Sequence, residues 1–312
     1  MKNWLTIAIL VLQPVLLDAQ EPHGYFNSLA EALRQPDSVV YLNLSSSGLR
    51  VVPEEIRRFP HLRQLDLGDN EIRVLPPFLA RLGELEYLRL DNNPVEQLPD
   101  QLGGLGQLHR LLARGLALKR LPENIGNLHN LEQLDLEGND LEQVPAELAS
   151  LQELRILNLS FNRLHSLPAG LSRLRYLHTL KLVSNQLDNL PEDLGDLQQL
   201  ESLQLAMNRF DHIPPTIYRL RQLRQLGMEY NQLETIDGEI GNLENLEQLN
   251  ISNNRFSQLP TRRLRRLQKL RFFQVGGNRF SSEYLEELRE IFRERLIRQA
   301  QEDPALLRRR GL

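Results

Sequence analysis

The hydrophobic positions of the chain repeat with a period of 23 residues. Each copy follows the pattern L-x-x-L-x-L-x-x-N-x-L-x-x-L-P-x-x-L-x-x-L, and residues 154–174 match it at every position. Eleven copies begin at Val39, Leu62, Leu85, Leu108, Leu131, Leu154, Leu177, Leu200, Leu223, Leu246 and Leu270. A period of this length predicts a solenoid, in which each copy is one structural unit stacked on the next.

The spacing within one copy predicts its local structure. The L-x-L segment alternates with period 2, so it is expected to form a short strand with its leucines pointing inward. One such strand cannot bury its leucines alone, and stacked copies build a continuous core. The asparagine after the strand is expected to bond backbone groups of the bend in adjacent copies. The proline fixes φ and removes a donor at the outer bend, which favours short turns there over long helices.

This pattern resembles the leucine-rich repeat family in its short, proline-containing form, and the resemblance covers roughly residues 39–280. Its nearest forms are the Ras-group type of intracellular repeats and many bacterial repeat proteins. The resemblance implies an α/β fold, a right-handed horseshoe-shaped solenoid whose parallel β-sheet lines a concave face. Two copies depart from the pattern, because Leu116 replaces the asparagine in the fourth and Asp237 replaces the proline in the ninth. The fourth copy is interpreted as a tolerated degenerate repeat, with a flexible joint as the alternative.

Both ends of the repeat array are predicted to carry helical caps. Residues 27–34 are predicted to form a short helix, and residues 282–301 a longer one with an apolar face. Each helix would cover an exposed edge of the sheet, where unpaired strands invite aggregation. The expected organisation is therefore an N-terminal cap over residues 20–38, eleven repeats over residues 39–281, and a C-terminal cap and tail over residues 282–312.

Residues 1–19 have the pattern of a secretory signal peptide. Lys2 precedes an apolar stretch, and Ala19 ends a segment that resembles a small-residue cleavage site. The apolar run is short for a membrane span of about 20 residues. We therefore expect export to a secreted or periplasmic location, with a cytoplasmic location as the alternative if the N-terminus is not cleaved. The lack of cysteine fits a bacterial envelope protein better than an animal extracellular one.

Composition and motifs argue against an enzyme. The chain is 41% hydrophobic and 25% charged with a net charge of −4, which fits a packed protein and offers little general attraction for nucleic acid. Cysteine is absent, which excludes disulfides, cysteine-ligated metals and cysteine nucleophiles. Phosphate-loop, dinucleotide-binding, zinc-protease and serine-hydrolase motifs are missing, and the histidines fall at scattered repeat positions. We expect no catalytic residue, no cofactor and no metal.

The outward strand positions are the part of each copy that the core does not dictate. The first column of such positions runs Asn43, Asp66, Arg89, Leu112, Asp135, Asn158, Lys181, Gln204, Gly227, Asn250 and Gln274. The second column runs Ser45, Gly68, Asp91, Arg114, Glu137, Ser160, Val183, Ala206, Glu229, Ser252 and Gly276. Any recognition function is expected in and around these columns.

The outward face contains one apolar group and one charged group of side chains. The apolar group lies in copies six to nine and consists of Ile156, Phe161, Val183, Met207 and Tyr230. Three of these residues, Phe161, Met207 and Tyr230, occupy equivalent positions just before the asparagine, and exposed apolar groups of this kind tend to mark interaction sites. The alternative is that they fold back over the strand edge and are partly buried. Asp91, Arg114 and Glu137 are lateral neighbours of alternating charge in the second column, interpreted mainly as a self-neutralising ion-pair ladder. The alternative is that they recognise a charged ligand. The predicted partner contacts are Arg89, Asn158, Phe161, Lys181, Val183, Met207 and Tyr230.

The resulting hypothesis is a non-catalytic module that binds a macromolecule, foremost a protein, on the concave sheet. One alternative is an intracellular signalling scaffold of the Ras-group type. Another is an envelope module for glycan binding or adhesion, because Tyr41, Tyr87 and Phe272 also face the groove. The basic run over residues 262–271 is interpreted as a solvated outer face, so a nucleic-acid partner is not expected.

Overall fold

The computed structural model of the protein describes residues 24–290. Within this range, twelve parallel strands form one sheet in which each strand pairs with the next along the chain. The strands are β1 (Tyr25–Phe26), β2 (Tyr41–Asn43), β3 (Gln64–Asp66), β4 (Tyr87–Arg89), β5 (Arg110–Leu112), β6 (Gln133–Asp135), β7 (Ile156–Asn158), β8 (Thr179–Lys181), β9 (Ser202–Gln204), β10 (Gln225–Gly227), β11 (Gln248–Asn250) and β12 (Phe272–Gln274). The predicted solenoid with a parallel sheet is confirmed.

The outer side of the solenoid consists of single 3₁₀ turns, as the prolines predict. The turns are Pro36–Ser38, Glu54–Arg58, Pro77–Arg81, Asp100–Gly104, Glu123–Asn127, Ala146–Ser150, Leu171–Arg173, Glu192–Asp196, Pro215–Arg219 and Gly238–Asn242. Proline precedes most of them with a φ close to its intrinsic value, for example −69° at Pro122. The tenth copy contains one extra residue and forms a short α-helix instead, α2 (Thr261–Leu264).

The core is a continuous column of side chains between the sheet and these turns. The central strand residues and the apolar residues that follow them are almost fully buried; Leu157 is 1% exposed and Leu159 is 0% exposed. Each buried side chain of this kind contributes roughly 1.5–3 kcal/mol. Because a copy shares its buried surface mainly with its two neighbours, the stability of each copy depends on the stack.

The asparagine after each strand connects adjacent copies. The amide Nδ2 of Asn162 donates to the carbonyls of Leu136, Leu159 and Ser160 at 3.0, 3.0 and 3.2 Å. Its Oδ1 accepts the backbone N–H of Leu141 at 3.0 Å. The same set of contacts is made by Asn70, Asn93, Asn139, Asn185, Asn208, Asn231 and Asn254. The predicted role of the asparagine is confirmed.

The fourth copy lacks this asparagine and still stacks normally. Leu116 takes the position and is 7% exposed, and β5 pairs in register with both neighbours. The N–H of Val95, which an asparagine side chain would otherwise accept, donates to the carbonyl of Asn93 at 2.8 Å. The copy is therefore a tolerated degenerate repeat, and no joint interrupts the sheet there.

A neighbouring tyrosine explains the missing proline of the ninth copy. Tyr218 stands where other copies have a small residue such as Gly195 or Gly241, and it is 2% exposed. Its hydroxyl accepts the backbone N–H of Asp237 at 3.3 Å. Proline has no N–H, so at this position it would leave the buried hydroxyl without that donor. Burial raises the pKa of Tyr218 well above its usual value.

The N-terminal edge differs from the prediction. The helix α1 (Leu29–Ala32) forms with Ser28 as its N-cap, but it is shorter than the predicted residues 27–34. The edge of β2 is covered by strand pairing with β1, whereas the sequence pattern predicts that the helix covers it. Because β1 has only two residues and no repeat motif, its pairing was not visible in the periodicity.

Residues 282–290 are helical at the opposite end, with Leu288 buried. The hydroxyl of Tyr284 donates to the carbonyl of Leu259 at 3.0 Å and accepts its N–H at 2.8 Å. The remainder of the predicted C-terminal helix and the predicted signal peptide lie outside the described residues. None of the helices within residues 24–290 is long and apolar enough to cross a lipid bilayer.

Replacing Asn162 by alanine is expected to lower the free energy of unfolding by about 3–4 kcal/mol, because three carbonyls and one N–H lose their buried partner. Urea unfolding followed by circular dichroism measures this loss. Asn127→Ala is the control, since Asn127 is exposed on the outer turn and is expected to change stability by less than about 0.5 kcal/mol. Equal effects of the two substitutions would contradict the role assigned to the ladder.

Candidate binding face of the sheet

Strand register aligns the first column as predicted. Its members pair laterally from Asn43 opposite Asp66 through to Asn250 opposite Gln274. A third set of outward side chains lies two residues earlier, at the first position of each strand. This start column runs Tyr41, Gln64, Tyr87, Arg110, Gln133, Ile156, Thr179, Ser202, Gln225, Gln248 and Phe272. Each copy therefore presents outward side chains whose residue type the packing of the core does not fix.

Copies two to five carry a compensated ionic network. The guanidinium of Arg89 contacts Asp66 at 3.2 Å, Asp69 at 2.8 Å and Asp91 at 3.0 Å. Its side chain is only 23% exposed, and it lies over Gly68, where a Cβ atom would come within 2.7 Å of the guanidinium carbon. These carboxylates raise the pKa of Arg89 despite its desolvation. The predicted contact residue Arg89 therefore has its charge satisfied within the protein.

The network continues into the next two strands. The Nε of Arg114 lies 3.4 Å from Asp91 and 3.5 Å from Asp135. Burial raises the pKa of Asp135 above its usual value, and the positive charge of Arg114 opposes that shift. The predicted pair of Asp91 and Arg114 is confirmed. The second partner of Arg114 is Asp135 of the first column and not the predicted Glu137, whose Oε2 accepts from Asn158 instead.

Asn158 is placed differently from the role predicted for it. It is 3% exposed, its Nδ2 donates to Glu137 Oε2 at 2.8 Å, and its Oδ1 accepts the N–H of Ser160 at 3.1 Å. Both polar groups of its amide therefore have partners inside the protein. By contrast, Lys181 is exposed, and its ammonium has no side-chain partner among the described residues. Val183 is half-buried.

The bend after each strand has a left-handed backbone. The residue before the asparagine has a positive φ in every copy, between 54° and 71°. This bend column runs Ser46, Asp69, Asn92, Gly115, Gly138, Phe161, Ser184, Met207, Tyr230, Asn253 and Gly277. Glycine, asparagine and aspartate adopt this region easily, and they account for six of these positions.

Phe161, Met207 and Tyr230 are large side chains at this left-handed position. They are 50%, 47% and 53% exposed, so about half of each side chain is open to solvent. A left-handed conformation costs roughly 1–2 kcal/mol for such residues, and the other copies show that small or polar residues fit the same bend. The apolar patch defined by these three residues is therefore not required by the fold. It lies beside Val183 and the small residue Ala206 of the second column.

The sequence identified these three residues by their apolar character but not by their conformation. The signal was present, because the bend column contains Gly115, Gly138, Asn92 and Asn253, residues typical of a positive φ. Among residues 24–290, no group of three or more His, Asp or Glu side chains is arranged to hold a metal ion.

Three family models match the chain. A leucine-rich repeat region model matches residues 169–298, and a leucine rich repeat model matches residues 37–95. A third model, also described as a leucine rich repeat, matches residues 130–151 and 153–174. Among proteins of curated function, none matches the chain in sequence.

Solved structures of bacterial and animal proteins are similar in fold. A leucine-rich repeat protein of Leptospira interrogans is 26% identical over 88% of this chain and 98% of that one, with a TM-score of 0.48. An internalin of Listeria monocytogenes is 20% identical over 78% of this chain and 76% of that one, with a TM-score of 0.60. The Toll–Spatzle complex of Drosophila contains a chain 27% identical over 78% of this chain, with a TM-score of 0.67. The match covers 34% of that Drosophila chain.

Replacing Arg89 by methionine is expected to lower the free energy of unfolding by about 3 kcal/mol, because the largely buried carboxylate of Asp66 loses its cation and that of Asp91 keeps only Arg114. Arg163→Met is the matched control. Arg163 pairs with Asp140 at 2.6 Å, but both side chains are well exposed, so the loss should stay below about 1 kcal/mol. Chemical denaturation at neutral pH measures both, and a small loss at Arg89 would show that its pairs do not stabilise the sheet.

Proposed function

Since this chain belongs to the leucine-rich repeat family, we propose that it is a non-catalytic module that binds a protein partner on the concave face of its sheet. Leucine-rich repeat domains generally mediate protein–protein interaction and are typically non-catalytic. One structurally similar chain belongs to a Toll–Spatzle complex. These relationships support the class of function, and the choice of surface rests on the side chains of this protein.

The observation that carries the proposal is the apolar patch of Phe161, Met207 and Tyr230. Side chains of this size are half-exposed at a backbone conformation that disfavours them, although the same bend accepts glycine or asparagine elsewhere in the chain. Strained residues of this kind accumulate at functional positions. A partner that buries the exposed halves would use aromatic and methionine side chains of the type that anchor protein interfaces.

The other predicted contacts divide into two roles. Lys181 and Val183 lie in the copy between Phe161 and Met207, so they complete the contact surface. Arg89 and Asn158 act as internal supports, since their polar groups are held by neighbouring side chains. A partner would meet a surface whose backbone is fixed by the stacked copies, which lowers the ordering cost of association.

The double variant Phe161→Asn, Tyr230→Asn tests this proposal. We expect loss of partner capture with a change in the free energy of unfolding below about 1 kcal/mol, because relief of the left-handed strain offsets the lost contacts. Affinity capture with the purified protein, with captured proteins identified by mass spectrometry, is compared across variants. Ser46→Asn, at the same bend position of the first copy, is the control. Unchanged capture of the same partner by the double variant would overturn the choice of surface, and a large loss of stability would show that these residues belong to the core.

We further propose that the protein is exported, on the basis of the charged start and apolar run of residues 1–19. The mature chain is expected to begin at Gln20. Mass spectrometry of the intact protein purified from its native cells measures the N-terminus directly. An intact residue 1–19 segment would instead favour the intracellular scaffold.

A further inference from the structure

The N-terminal end of the start column forms a row of planar side chains. Register places Tyr25 beside Tyr41, then Gln64, Tyr87 and Arg110 on successive strands. The rings of Tyr25 and Tyr41 have centroids 4.7 Å apart, and the Arg110 guanidinium carbon lies 5.3 Å from the centre of the Tyr87 ring. Because neighbouring strands are about 4.8 Å apart, this tyrosine row extends for about 20 Å.

The row has unused neutral hydrogen-bonding groups. Within the described part of the chain, neither the hydroxyls of Tyr41 and Tyr87 nor the side-chain amide of Gln64 has a hydrogen-bond partner. Burial raises the pKa of Tyr41 and, to about 12, that of Tyr87. Both phenols therefore keep their protons at neutral pH and act as donors as well as acceptors.

The acidic charges next to the row are already paired. Asp66 and Asp91 lie beside it on the first and second columns, and Arg89 bonds to both. A ligand on the row would therefore meet one cation, the Arg110 guanidinium, which lies over the Tyr87 ring and has no ion pair among the described residues. The groups that remain are partly exposed tyrosine rings, neutral donors and acceptors, and a guanidinium that can donate to hydroxyls, which favours an uncharged ligand with both apolar and hydroxyl surface.

A cleft adjoins the row, and its lining includes residues just before strands β1 to β4. It has a volume of about 690 Å³, and Tyr25 belongs both to its wall and to the row. Its side-chain lining mixes donors and acceptors, including Gln35, Ser38 and His61. Its basic and acidic groups offset each other, since Arg63 lies 3.8 Å from Glu84. The mixed polar character of the row thus continues into this cleft.

We propose that the tyrosine row and the adjoining cleft bind a neutral oligosaccharide. A sugar ring has an apolar C–H face that stacks on an aromatic ring, and hydroxyls that exchange hydrogen bonds with phenols and amides. Tyr41 and Tyr87 are two strands apart, about 10 Å, so a ligand bound to both must span more than one ring. This site lies on copies one to four, apart from the apolar patch on copies six to nine, and it does not depend on a protein partner there.

Calorimetric titration of the purified protein with three neutral hexasaccharides tests the proposal: β-1,4-linked glucose, β-1,3-linked glucose and β-1,4-linked N-acetylglucosamine. We expect at least one to bind. Tyr87→Ala should weaken that binding about tenfold through loss of the stacking surface. Tyr41→Phe should weaken it several-fold while keeping the ring, which separates the hydroxyl's contribution from an effect on folding.

Tyr176→Ala is the matched control, because Tyr176 is also an exposed tyrosine with an arginine over its ring, Arg155 at 5.9 Å, but lies outside the row. It should bind the sugar like the unmodified protein, as should the Phe161→Asn, Tyr230→Asn variant. Three results would each overturn the proposal: no binding of any of the three hexasaccharides, equal binding by Tyr87→Ala and Tyr176→Ala in folded protein, or tighter binding of a sulfated hexasaccharide than of the neutral ones.

Discussion

The side-chain amide of the repeated asparagine is the interaction on which the rest of the structure depends. It bonds three carbonyls that belong to two adjacent copies, and its oxygen accepts an N–H of the preceding copy, as Asn162 shows. Strands of three residues offer few backbone bonds of their own, so the polar groups of the bend need a partner that is always in reach. The asparagine meets that need in eight copies, the second, the third and the fifth to tenth. Buried leucines pack beneath it.

The same constraint decides which residues are free to carry function. The bend between the strand and the asparagine requires a left-handed backbone conformation. In every copy the residue of the bend column adopts it, with a positive φ. Most copies place a small or polar residue there. Phe161, Met207 and Tyr230 depart from this preference in a position that faces away from the core, which links the geometry of the bend directly to the proposed protein contact.

Along its length, the outward face changes in chemistry while the backbone stays the same. The first copies combine tyrosine rings with paired charges, so Arg89 stabilises the sheet and leaves neutral groups exposed beside it. The later copies replace this network with the apolar patch. A solenoid allows such a change because each copy contacts mainly its neighbours, and two surfaces with different ligands fit on one rigid sheet.

The sequence by itself determined the solenoid, the positions of its strands and the lateral order of the first column, because an exact period with alternating leucines admits one stacking. It also indicated the inward role of the asparagine and the self-neutralising charges. Only the tertiary structure decided that Asn158 is buried against Glu137, that Arg89 forms ion pairs with three carboxylates, and that β1 pairs with the edge of β2. These outcomes depend on side-chain directions and on contacts between residues more than 20 positions apart or outside the repeat, and a pattern of residue types does not record either.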